Sequence, residues 1–200
     1  MSKRCIEPVA NNKEKQETYT FQLGQYRKAM DEDFFLEAMM IVYSMMEDRL
    51  KSLLYYCGVF DSRDTLKISK VVAEDIRTAI GDEKYKLSNI TGKMAMFADI
   101  VNWHKLSNSF EHEYSPYLMC LKDAIDGLDT DEVTEVFAGL RKWLEYRNEV
   151  MHAAMNKNIY SLYDGLREKV EEGMEYARAL DSYVRILKKD NSVRKQLKMV

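Results

Sequence analysis

The sequence predicts an all-α fold, on three observations. Along almost the whole chain apolar residues recur at intervals of three and four, the period of a helix face, and not in the alternation of a strand. Only two prolines and eight glycines punctuate the 200 residues, so few points force the backbone out of helical geometry. Apolar residues make up 46% of the chain, and a chain of this length buries roughly 70% of its unfolded surface, a core that needs no staples.

Residues 1–12 read as a flexible N-terminal arm, and residues 13–200 as a single helical domain. A first helix runs from Lys13 to Met30, with Phe21, Tyr26 and Met30 among its apolar members, although Gly24 weakens it. Asp31, Glu32 and Asp33 are expected to open a second helix to about Cys57, because negative charge in a first turn complements the helix dipole. Its Phe35, Ala38, Met39, Val42, Met46, Leu50 and Leu53 cover more than one face, the pattern of a helix at the centre of a bundle.

Asp61 or Ser62 can cap a third helix to Ile80, with Leu66, Val72, Ile76 and Ile80 inward, and Gly81 stops it. A fourth spans Lys93 to Ser107 on the stripe Met94, Phe97, Ile100, Val101 and His104; with no acidic residue spaced to it on that helix, His104 reads as a core histidine. Pro116 fits the first turn of a fifth helix, which ends near Gly127. Asp129 and Glu132 then give a capping-box start to a sixth, reaching Met155. After a break at 156–158 a last long helix extends to Lys189, and Leu166, Val170, Gly173, Ala177, Leu180, Val184 and Leu187 give it the 4-3 alternation of a helix packed along another. A hairpin with the sixth helix is the expected partner.

Composition narrows the function classes. The net charge of −3 supplies no overall field for a polyanion, so any nucleic-acid contact is local. Cys5, Cys57 and Cys120 are an odd number without a CxxC pair, which argues against a disulfide framework and for a reducing, cytoplasmic setting. The longest apolar run, Ala38 to Met46, is too short to cross a bilayer, so no membrane partner is expected. Three scattered histidines, His112 among them in the loop SFEHEYSP, form no HExxH pair, so neither a metal site nor a cofactor is expected. Positive charge gathers at Arg185, Lys188 and Lys189, either as an RNA-attracting edge or as a solvated helix end whose cations suit the dipole.

One constellation carries chemistry. In the sixth helix the stripe Val133, Phe137, Leu140, Leu144 continues into Arg147, Asn148 and His152, where the pattern asks for apolar side chains. Burying all three costs free energy unless each finds partners, so the break marks either a satisfied polar network or a site. Arg147 is a permanent cation suited to phosphate, Asn148 can orient a neighbour, and His152 exchanges a proton near neutrality.

The run Arg147-Asn148-Glu149-Val150-Met151-His152 matches R-N-x-x-x-H, and here the chain resembles the HEPN superfamily, all-α proteins that include many metal-independent endoribonucleases of toxin and phage-defence systems. The resemblance implies an up-and-down HEPN-type bundle with additional helices, and an enzyme that cleaves RNA to 2′,3′-cyclic phosphate ends. Arg147, Asn148 and His152 would be its catalytic set. It also implies a supporting acidic residue on a neighbouring helix, Glu47 or Asp48, and a homodimer in which two motifs share one cleft. An antitoxin or a nucleotidyltransferase is the implied protein partner. The alternatives are a noncatalytic HEPN module that binds nucleotide, RNA or a partner, and a helical interaction protein in which the three polar residues merely satisfy one another.

Overall fold

The structure, a computed structural model, describes residues 9, 11–63, 65–82, 84–107, 114–154, 156 and 158–198. Most of the N-terminal arm, Cys5 and His112 therefore lie outside the described residues. Among those described there are nine helices: α1 (Asn12–Asp31), α2 (Phe35–Tyr56), α3 (Ala73–Ile80), α4 (Ile90–Ser107), α5 (Pro116–Asp126), α6 (Thr130–Ala153), α7 (Ile159–Tyr163), α8 (Leu166–Asp190) and α9 (Ser192–Lys198). None is long and apolar enough to cross a membrane.

Caps fix most starts. The Asn11 side chain accepts from the Lys13 and Glu14 amides at 2.9 and 3.0 Å, and Asp129 does the same for Asp131 and Glu132 at 3.1 and 3.0 Å, each satisfying donors that a first turn leaves open. Ser115 caps α5 with Pro116 in its first turn. α2 is the central helix, packed most extensively on α8 and also against α1 and α4. Its Ala38, Met39, Val42, Met46, Leu50, Leu53 and Leu54 are fully buried, each large side chain contributing about 1.5–3 kcal/mol by leaving water. α6 lies against α4 and α8.

Four local expectations are corrected. The acidic trio does not open α2: Asp31 ends α1, Glu32 caps it, and Asp33 turns left-handed at φ 60°. Arg167 of α8 offsets this unfavourable charge by donating to the Met30 carbonyl at 3.0 Å and the Asp33 carboxylate at 2.8 Å. The third helix is only its last two turns, and Leu66 is exposed. The segment before it folds back as an antiparallel bridge between Phe60 and Ile68, while Arg194 of α9 takes the Phe60 and Asp61 carbonyls at 2.8 and 3.0 Å. Phe21 of α1 faces solvent.

The last long helix is divided at Gly165, φ 69°, into α7 and α8, and α9 follows the left-handed Asn191. Its 4-3 seam is buried within the chain, against α2 more than against α6. At Gly173 the approach to α6 is close, since a Cβ there would stand 2.5 Å from the Trp143 ring. Only glycine admits that indole, whose Nε1 donates to the Lys169 carbonyl at 2.6 Å.

Candidate functional site

Trp143 decides where the polar residues of α6 point. It is fully buried, and with Leu140, Leu144 and Val150 it draws the inward face onto the line Leu140–Trp143–Val150. Asn148 and His152, one turn apart, are thereby turned out to solvent, and Arg147 sits half-buried at the edge between. The stripe expected to continue through all three keeps Arg147 on its line, between Trp143 and Val150, and passes beside Asn148 and His152.

Arg147 reaches across to α2. Its guanidinium lies over the Tyr43 ring, 4.3 Å from the centroid. Nη2 points at Met40 Sδ at 2.9 Å, a weak acceptor, and Nη1 donates to Asn148 Oδ1 at 3.1 Å. Its Nε is buried without a hydrogen-bond partner. No carboxylate pairs with it among the described residues; the cation is positioned by a ring, a thioether and an amide. Asn148 spends its oxygen on Arg147, and its exposed side chain stands one helical turn before the exposed His152. His152 closes the last turn of α6, where the dipole favours a cation, and its carbonyl accepts from Asn156 Nδ2 at 3.4 Å.

The two acidic candidates part company. Glu47 lies near the motif, and both it and Arg147 act on the Tyr43 phenol: burial pushes that hydroxyl's pKa up first, Glu47 adds to the rise and Arg147 opposes it. Glu47 does not bond Arg147; it accepts from Lys93 Nζ at 2.8 Å, an ammonium buried in α4. Asp48 belongs to a different network. Its oxygens accept from Lys15 at 2.8 Å, Tyr19 at 2.7 Å and Arg49 at 2.7 Å, and Arg49 continues to Asp181 of α8 at 2.9 Å. Burial alone would raise its pKa, and the pull of Lys15 and then Arg49 outweighs that and holds it low. Glu47 and Asp48 are adjacent in the chain, and a helix turns about 100° over that single step.

The C-terminal cations also divide. Arg185 and Lys188 line a cavity between α1, α2 and α8, whereas Lys189 is exposed outside it. His104 is buried, with Nε2 2.7 Å from Asp126 Oδ1 of α5 and Nδ1 unpaired. Its acidic partner comes from another helix. Cys57 is buried, and burial pushes its thiol up to about 12, so it is an unreactive core group. Among the described residues no three His, Cys, Asp or Glu side chains gather as a metal site would require.

Tyr43 and Met40 had no signal of their own in the sequence. Lys93 did, because it stands one turn before Phe97 on the apolar stripe of α4. A lysine there needs a buried partner. Compared with known proteins, the chain matches no protein-family model, no curated protein and no solved structure.

Proposed function

We propose that this protein is a metal-independent endoribonuclease of the toxin-antitoxin or phage-defence kind, acting through Arg147, Asn148 and His152. The observation that supports it is the outward presentation of the set: Asn148 and His152 are exposed side by side, and Arg147 is held at the same surface without a carboxylate. Three polar residues that only stabilised a core would be buried and mutually bonded.

The reaction needs few parts. The ribose 2′-oxygen attacks the adjacent phosphorus, the bond from phosphorus to the 5′-oxygen breaks, and a 2′,3′-cyclic phosphate remains on one fragment and a 5′-hydroxyl on the other. His152 exchanges the proton as acid or base, Arg147 stabilises charge on the phosphoryl oxygens, and Asn148 fixes the guanidinium. Among the described residues each chain offers a single imidazole at this face, so acid and base together require two motifs across a twofold cleft. We assign the homodimer on that ground.

Purified protein with single-stranded and transfer RNA in EDTA, at physiological pH, tests the proposal. Wild type is expected to leave cyclic-phosphate ends and His152→Ala to leave RNA intact; no cleavage by wild type, or equal cleavage by both, overturns it. The single imidazole also favours a second reading, a noncatalytic HEPN module that binds nucleotide, RNA or a partner protein. There His152→Ala keeps most of the affinity and Arg147→Ala loses it.

A further inference from the structure

A second gathering of positive charge lies away from the motif. Between α1, α2 and α8 is a cavity of about 780 Å³ lined by Lys15 and Arg27 of α1, Arg49 of α2, Arg63 just beyond it, and Arg178, Arg185 and Lys188 of α8. Asp181 is the one carboxylate among the lining residues. In a chain whose net charge is −3, this is a local field of the opposite sign.

The cations play two parts. Arg49 is fixed on the floor by Asp48 and Asp181, and Lys15 by Asp48. These three ion pairs, like those of Arg178 with Glu175 and Arg185 with Asp181, consume charge, so these residues shape the site. Arg27, Arg63 and Lys188 have no carboxylate partner among the described residues; Arg63 is held by neutral groups, donating to Asn12 Oδ1 at 2.9 Å and Tyr56 Oη at 2.7 Å. The field is felt inside the cavity as well, since burial first, then Arg49 and Arg63, press the Lys15 ammonium pKa down against the pull of Asp48. Between the cations lie Leu23, Met45, Met174, Ala177 and Val184, an apolar strip that a bare inorganic anion has no means to use.

We infer that this cavity binds a small organic polyphosphate of nucleotide size, its phosphates on Arg63 and Lys188 and its organic part on the apolar strip that leads toward Arg27. The volume lies within the roughly 300–1,000 Å³ usual for small-molecule sites. Guanidinium groups without carboxylates suit phosphate because they donate in pairs. The inference is independent of the chemistry assigned to α6.

Isothermal titration of the full chain with ATP, inorganic tripolyphosphate and a ten-nucleotide 2′-O-methyl RNA, which resists cleavage, is the test. Arg27→Glu/Lys188→Glu is the variant of choice, because both side chains are exposed and neither holds a structural ion pair. ATP is expected to bind one per chain, more tightly than tripolyphosphate, to weaken at least about tenfold in the double variant, as loss of a charge-assisted contact implies, and to be unchanged in His152→Ala. The inference is overturned by no heat with millimolar ATP, by equal affinity in the double variant, by tripolyphosphate matching ATP, or by the RNA displacing ATP at lower concentration.

Discussion

Two arginines of the bundle are placed almost alike and differ in what surrounds them. Arg49 lies over the Tyr19 ring at 4.2 Å and Arg147 over the Tyr43 ring at 4.3 Å. Arg49 is then closed in by two carboxylates, Asp48 beside it on α2 and Asp181, which ties α2 to α8. Arg147 meets a thioether and an amide, and keeps an unpaired Nε. A guanidinium whose charge is matched inside the chain is architecture, whereas one held in place but left unmatched is ready for an anion from outside. The same contrast separates Arg49 from Arg63 within the cavity.

The comparison is broken or sharpened by exchanging the roles. His152→Ala is expected to have the largest effect, lowering the RNA-cleavage rate by about 10²–10⁴-fold, the range for a lost acid or base, while its exposed position keeps stability within about 0.5 kcal/mol in urea denaturation. Arg49→Ala is expected to act in the other direction: it takes one partner from each of two partly exposed carboxylates, Asp48 keeping Lys15 and Tyr19 and Asp181 keeping Arg185, and costs about 1.5–3 kcal/mol, the range for hydrogen bonds to charged groups. Cleavage by its folded fraction persists. If Arg147→Ala destabilises as much as Arg49→Ala, the distinction between the two fails.

Smaller effects follow from the packing and the acid network. Gly173→Ala places a methyl group against Trp143 and is expected to cost about 1–3 kcal/mol as overpacking, read as a lower urea midpoint. The Asp48 carboxyl titrates below its ordinary value of 3.8 in the fold. A depressed acid contributes stability fully above its unfolded pKa and loses it as pH falls through the folded one. Thermal melts from pH 7 to pH 3 should therefore show wild type ahead of Asp48→Asn near neutrality and the gap closing below about pH 4. A gap that widens on acidification contradicts the ion-pair assignment.

Much of the fold was legible because one residue spacing decides it. The buried positions of α2, α4 and α8 are those that the three-and-four pattern marks. What failed was governed by partners far away in sequence. Asp31 to Asp33 carry the charge of a helix start, and the residue that makes them an end instead is Arg167. The stretch between Ser62 and α3 is drawn instead into the bridge of Ile68 with Phe60, and Arg194 claims the Phe60 and Asp61 carbonyls just ahead of it. At the site, the spacing showed that Arg147, Asn148 and His152 interrupt an apolar stripe, but the rotation that exposes two of them depends on how deeply Trp143 seats against Gly173. Asp48 carried no local mark of its attachment to Lys15 and Tyr19, some thirty residues earlier in the chain.

Single-turnover cleavage of end-labelled RNA in EDTA by wild type, Arg147→Ala and Arg49→Ala, each held well below its melting temperature, tests the central claim most directly. Cyclic-phosphate products from wild type and folded Arg49→Ala, with at least about a hundredfold loss in Arg147→Ala as for a removed charge-stabilising donor, is the predicted result. Equal rates for Arg147→Ala and wild type, or intact RNA with all three, contradict it.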